Sequence, residues 1–219
     1  MAAPSPQAIA ELKEALGPDG WSEDADTLAP HLREWRDRWQ GLTPLFLKPG
    51  STAEVAAAVA ICARHGVAIT PQGGNTGLVG GQIPMGEVLL STKRLRAIRD
   101  VSPLDDALTV EAGVTLYEAQ QAALAVDRRF PLGLASEGTA TIGGVLSTNA
   151  GGTSVVRYGM ARDLVLGIEA VLADGRVFNG LKRLRKDNAG YDLKQLLIGP
   201  EGTLGIITAA VAAGSKPSS

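Results

Sequence analysis

Between Pro71 and Gly81 the chain reads PQGGNTGLVGG, five glycines in eleven residues, directly behind the short β-branched run Val67 to Thr70. A strand that empties into such a loop restricts the fold, because glycine reaches positive φ and lets another group approach the backbone closely. Two further clusters follow, at 133–152 and 199–205, each set between apolar runs. Any one of them reads equally well as a set of turns. A chain of 219 residues is long enough for one core or for two small subdomains packed together. Three glycine-rich loops facing a shared ligand suit the second arrangement.

The remaining pattern supplies the elements. Residues 1–42 read as a polar helical segment, with amphipathic stretches at Ile9 to Leu16 and Leu28 to Trp39. A helix follows over Ala53 to His65, with Ser51 and Glu54 as a capping box and Gly66 as its stop. Val67 to Thr70 and Val88 to Ser91 read as strands on either side of the glycine loop. A second unit has a strand at Leu108 to Ala112 and a helix at Leu116 to Val126, capped by Thr115 and Glu118. From Ile142 the pattern turns β-rich, with a strand at Leu164 to Ala173, the hairpin turn Asp174-Gly175 and a return at Arg176 to Phe178. A short helix at Asp192 to Leu197 and a strand at Ile206 to Val211 complete the chain, and residues 212–219 read as a disordered tail.

Charge and composition exclude several classes. Lys+Arg 21 against Asp+Glu 23 gives a net charge of -2, and aromatics are 4%. Neither a basic stripe nor a stacking platform for nucleic acid is present. Cys62 is the only cysteine, so no internal disulfide forms. His31 and His65 have no second metal-type ligand near them in sequence, and no metal site is expected. No run approaches the about 18 apolar residues of a membrane span, and the N-terminus lacks the pattern of a secretory signal. The expectation is a soluble, cytoplasmic protein.

The loops also fail the two common phosphate motifs. Gly-x-Gly occurs nowhere, and no Gly-Lys-Ser/Thr is present. The first loop still suits an anion nest of converging N–H groups, with Asn75 and Thr76 as side-chain donors. No Lys or Arg lies between Arg64 and Lys93, so oriented amides must hold any phosphate here. The second cluster offers a nearly continuous run of small residues, suited to a flat ring system or to a packing seam.

The segments PQGGNTGLVGG, GTATIGG…STNAGG, RYG and KDNAGYDLKQLLIGPEGTLGIIT occur in a telling order and spacing. Together they resemble the FAD-binding domain of the p-cresol methylhydroxylase / vanillyl-alcohol oxidase superfamily, within it the D-2-hydroxyglutarate and D-lactate dehydrogenase branch. The likeness spans about residues 43–211. It implies an α+β fold in which two α/β subdomains, about 43–100 and 101–211, hold FAD between them. Pro71, Gly73, Gly74, Asn75, Thr76, Gly77 and Leu78 would cradle the pyrophosphate. Leu132, Gly138, Thr139, Ile142, Gly143, Gly144, Ser147 and Asn149 would line the flavin and ribityl region, and Gly202 and Ile206 the isoalloxazine or adenine side. Val145 departs from the asparagine frequent in such proteins. Asn75 stands where tethering relatives place a histidine, and the second segment has no cysteine, so FAD is expected to bind noncovalently.

The same resemblance implies oxidation of a D-2-hydroxy acid to the 2-keto acid, with hydride passing to flavin N5. The catalytic base, metal-ligand histidines and substrate-gripping arginine of such enzymes are expected in a C-terminal cap beyond Ser219. Flavin binding with weak or no turnover is therefore expected of this chain. Arg157 reads either as part of a structural turn or as a cation near the flavin, and Lys186-Asp187-Asn188 as a loop support. An NADPH-dependent flavin reductase on the same fold, and a non-catalytic flavin subunit needing a partner chain, both stay open, as does a homodimer.

Overall fold

The computed structural model describes residues 3–216. Helix α1 (Pro6–Leu16) is capped by Ser5, whose hydroxyl accepts the Ala8 N–H, and it buries Ala8, Leu12 and Leu16. Strand β1 (Trp21–Ser22) and the single turn α2 (Ala25–Leu28) follow. The helix expected over Leu28 to Trp39 does not form. Pro30 withholds a backbone donor, and the helical turn ends at His31. The buried Glu34 carboxylate then accepts the N–H groups of Arg36 and Arg38 at 2.8 and 2.7 Å. Such local side-chain bonds compete with the helical ladder, and here they fold residues 33–40 into an irregular arm.

The first sheet holds β2 (Phe46–Leu47), β3 (Ile69–Gln72) and β4 (Val88–Ser91), in the order β1-β2-β4-β3. Both β2 and β3 run parallel to β4. A parallel pair needs a crossover, and α3 (Thr52–His65) supplies it between β2 and β3. Ser51 caps α3 by accepting the Glu54 N–H, and Gly66 ends it at φ 64°. Glu54 itself reaches the Gly50 N–H at 2.8 Å, one residue before the donor a capping box predicts. On the outer side, the Glu11 carboxylate of α1 pairs with Arg64 and His65 at the end of α3.

The second sheet is antiparallel throughout. It comprises β5 (Ile98–Ser102), β6 (Ala107–Glu111), β7 (Val165–Leu172), β8 (Val177–Gly180) and β9 (Gly205–Ala213), in the order β5-β6-β9-β7-β8. Helix α4 (Leu116–Leu124) carries the expected capping box of Thr115 and Glu118. The β-rich stretch expected from Ile142 begins instead with a helix, α5 (Ile142–Ser147). Its β-branched residues are buried, and the Gly143 N–H donates to Ala112 O at 2.8 Å. A Cβ on Gly143 would stand 2.7 Å from the Ala112 Cβ, so only glycine lets this helix sit so close to the strand end. Short helices α6 (Val155–Tyr158) and α7 (Lys194–Leu197) complete the set. Strand β9 continues to Ala213, paired with Ala107, and Ser215 bridges to Arg129. The start of the stretch read as a disordered tail is therefore strand; residues 217–219 lie outside the described residues.

Helix α3 joins the two sheets. Val55, Ala58, Val59, Ile61 and Cys62 pack with Leu47 and Leu90 of the first sheet and with Val171 and Ile206 of the second. Burial pushes the Cys62 thiol up to about 11, so it stays a protonated core group. Beside this apolar contact lies a polar one. Glu169 of β7 accepts hydrogen bonds from Thr52 at the start of α3 (2.7 Å), Thr208 of β9 (2.9 Å) and Arg99 of β5 (3.1 Å). Arg99 also pairs with Glu111 at 3.1 Å. Burial alone would raise the Glu169 pKa; the bonds from Arg99, Thr52 and Thr208 outweigh it and hold the carboxyl below its ordinary value of 4.5.

Replacing Glu169 by Ala removes these partners and leaves Arg99 half-satisfied. The expected loss is about 1.5–3 kcal/mol, the range for hydrogen bonds to a charged group, read from denaturant midpoints at pH 7. A carboxyl with a lowered folded pKa contributes stability above its unfolded value and loses it as pH falls. The gap between wild type and variant should therefore narrow below about pH 4.5. A gap that stays constant down to pH 3 would show that the loss comes from packing.

Candidate functional site

A cavity of about 370 Å³ opens between the two sheets, within the range of about 300–1,000 Å³ typical of small-molecule sites. Three segments enclose it: the loop after β3, the start of α5 with residues 134–141 before it, and the turn before β9. These are the three glycine clusters of the sequence. Of the expected site residues, Pro71, Gly73, Gly74, Asn75, Thr76, Gly77, Leu78, Gly143, Gly144, Ser147, Gly202 and Ile206 line the cavity. Leu132 and Ile142 are instead buried in the core beneath it. Gly138, Thr139 and Asn149 also lie outside the wall. The Asn149 side chain accepts the Arg162 N–H at 3.0 Å, which makes it a fastener of the loop after α6.

The first loop is held from behind. Asn75 adopts φ 57° and donates its amide to Pro30 O and Arg33 O at 3.1 and 2.7 Å. Its side-chain oxygen accepts from Gln82 at 3.1 Å. The side-chain donor expected to reach into the nest is thus spent on the N-terminal arm. Gln72, almost fully buried, reinforces the same contact: its amide donates to His31 O and Gln82 O at 2.9 and 3.0 Å, and its oxygen meets His31 Nδ1 at 2.6 Å. Burial lowers the His31 pKa against the opposing pull of Gln72, which favours the neutral ring.

The glycines face protein as much as ligand. A Cβ on Gly74 would stand 2.0 Å from Thr139 O, and one on Gly73 2.3 Å from Thr141 Oγ1. The first loop and the second segment therefore touch backbone to backbone. Gly138 has nothing within 4 Å of a built Cβ, and Gly144 only Thr141 Oγ1 at 3.5 Å.

Sequence reasoning missed Thr141, Gln72, Gln82, Thr92, Ser136, Thr148 and Glu201, all of which line the cavity. Thr141 is the most informative. It caps α5 without a side-chain cap bond, and its Oγ1 is buried with no hydrogen-bond partner in the protein. A buried hydroxyl without a partner is costly, and here it sits beside Gly73 and Gly144 of the wall. Its sequence signal was the polar residue directly before the apolar Ile142. No Lys, Arg or His lines the cavity among the described residues. Arg157 is exposed and stacks on Tyr158 at 5.1 Å, away from the wall. Lys186 and Asn188 are exposed too, and Asp187 pairs with Lys182. Among the described residues no group of three His, Cys, Asp or Glu side chains is placed to hold a metal ion, and no helix is long and apolar enough to cross a membrane.

Residues 43–180 match the family described as the FAD binding domain. The chain belongs to this FAD-binding family. Its cofactor is FAD, and the site fits it: a glycine-rich wall, backbone amides, and a buried hydroxyl at Thr141 with no partner among the described residues. The mitochondrial D-2-hydroxyglutarate dehydrogenase of Danio rerio is 45% identical over 196 residues, covering 89% of this chain and 37% of the relative. The D-2-hydroxyglutarate–pyruvate transhydrogenase of Saccharomyces cerevisiae is 41% identical over 198 residues, covering 90% and 40%. The chain thus spans about two-fifths of the length of these relatives. Among solved structures, an alkyldihydroxyacetonephosphate synthase superposes with a TM-score of 0.86 at 25% identity, covering 99% of this chain and 42% of that one. Phl p 4, a grass pollen allergen with glucose dehydrogenase activity, shares the fold at a TM-score of 0.78 and 20% identity, over 96% and 44%. The α+β fold of p-cresol methylhydroxylase type expected from the sequence is the one adopted.

The two kinds of glycine make a paired prediction. Gly74→Ala drives a methyl group into Thr139 O and should part the first loop from the second segment. FAD affinity should fall at least tenfold with the far-ultraviolet spectrum unchanged. Gly138→Ala meets open space and should bind FAD as wild type does. Fluorescence titration of both variants checks the contrast, and equal affinities would refute it.

Proposed function

We propose that this chain is the cofactor-binding portion of an FAD-linked oxidoreductase that converts a D-2-hydroxy acid to its 2-keto acid. The reading is carried by the cavity in which three separate glycine-rich segments meet, on a chain 45% identical to a D-2-hydroxyglutarate dehydrogenase over 89% of its length. The loop from Gly73 to Gly77 holds the pyrophosphate by its amides, since no basic side chain lines the wall among the described residues. Thr141 Oγ1 supplies one further hydrogen bond, and Ile206, Leu78 and Val145 give the ring its apolar contacts. When bound, FAD would supply the electron-accepting chemistry, and these residues would hold it in place.

The same wall contains no histidine and no cation among the described residues. A cation to grip the substrate carboxylate therefore comes from residues outside it. The division of labour assigns cofactor binding to this chain and substrate handling elsewhere. Binding is noncovalent: Asn75 is committed behind the loop, and Cys62 lies in the helical core.

Absorption spectroscopy tests both parts. The purified, FAD-loaded chain should show flavin bands that leave with the filtrate after denaturation. Anaerobic D-2-hydroxyglutarate or D-lactate should bleach the flavin slowly or not at all. Turnover at ordinary enzyme rates, on the order of 1–10³ s⁻¹, would disprove the division of labour. A colourless protein that takes up no added FAD would disprove the reading itself.

A further inference from the structure

The first loop leaves its N–H groups unused while a side chain takes up one of its carbonyls. None of the N–H groups from Gly74 to Gly81 finds an acceptor among the described residues. Gln82 Nε2, by contrast, donates to Gly77 O at 2.8 Å and to Asn75 Oδ1 at 3.1 Å, which spends both of its hydrogens. Both partners are acceptors, so only the nitrogen end of the Gln82 amide can face them. The Gln82 backbone is fixed in turn, because the buried Gln72 donates to Gln82 O at 3.0 Å. Gly77 packs so closely on this side chain that a Cβ there would stand 2.6 Å from Gln82 Oε1.

A trans peptide points its C=O and the following N–H in opposite directions, so Gly77 O held against Gln82 turns the Leu78 N–H away from that side chain. Gly77 has no Cβ to oppose rotation of this peptide, and the bond to Gln82 fixes what local sterics leave free. The orientation matters because no basic side chain lines the wall among the described residues. The potential that a phosphate meets then depends on which end of each peptide faces it, and a flipped peptide would present an oxygen to the anion. Resting on the pyrophosphate reading above, we propose that Gln82 is the positioning residue of the phosphate cradle: its side-chain amide holds Gly77 O and thereby keeps the Leu78 N–H for the anion.

The test is FAD affinity by fluorescence titration, with the phosphorus NMR resonances of the bound pyrophosphate, for wild type, Gln82→Ala, Gly77→Ala, the double variant and Gln120→Ala. Gln120 makes the same kind of bond, to Leu132 O at 2.7 Å, but stands outside the cavity wall. Gln82→Ala and Gly77→Ala should each weaken FAD about tenfold, the scale of one or two hydrogen bonds. Both should move the phosphorus resonances and leave the flavin absorption bands in place. The double variant should lose no more than either single one, because the added methyl group then has no side chain to displace. Gln120→Ala should match wild type. Wild-type affinity in Gln82→Ala, additive losses in the double variant, unmoved phosphorus resonances, or an equal loss in Gln120→Ala would overturn the proposal. Should Gln82→Ala fail to fold, wild-type affinity and resonances in Gly77→Ala would overturn it alone. Failure of the wild type to take up FAD, or bound FAD with the phosphorus resonances of free FAD, would instead overturn the reading on which the proposal rests.

Discussion

The carboxylate of Glu169 is the point at which the two halves of the molecule are made one. It takes hydrogen bonds from the first turn of the crossover helix and from two strands of the antiparallel sheet. A buried charge is tolerable only when it is paired and hydrogen-bonded, so this group admits one relative placement of helix and sheet. The cavity depends on that placement. Gly74 in its wall packs so closely on the other half that a Cβ there would stand 2.0 Å from Thr139 O.

Much of this was legible in the chain. The capped helices at Ser51 and Thr115, the strands flanking the first loop, and the hairpin at Asp174-Gly175 follow from local rules that the tertiary structure leaves intact. Misreadings arose where a distant partner decides the local structure. Residues 28–39 have helical periodicity, yet Glu34 spends its carboxylate on the chain's own amides. Ile142 and Val145 have strand propensity, yet Gly143 docks them as a helix against Ala112. Strand β5, with Arg99 and Asp100 at its centre, has no apolar alternation to announce it. It exists because Arg99 has Glu111 and Glu169 to meet.

The site shows the same division. Twelve of the seventeen residues expected at the cofactor line the cavity, because glycine clusters are visible in any sequence. The five that do not were implied by the family resemblance, and in this fold Leu132 and Ile142 turn into the core while Asn149 fastens a loop. Thr141 and Glu201 were invisible for another reason. A threonine before an apolar residue, or a glutamate in a turn, acquires meaning only from an unpaired Oγ1 or a backbone held at positive φ. The glycines themselves also changed meaning: Gly73 and Gly74 give room to protein, and Gly144 leaves room for a ligand.

Asn75 carries one more implication. Its amide ties the cofactor loop to Pro30 and Arg33, the first in a single 3-10 turn and the second bridged only to Gln40. Binding energies coupled through a shared element are reciprocal. Whatever FAD gains from a loop already fixed by the arm, the arm gains from a loop already filled by FAD. Residues 29–41 thus share in the energetics of the cofactor site through the Asn75 amide, although the arm lies behind the loop.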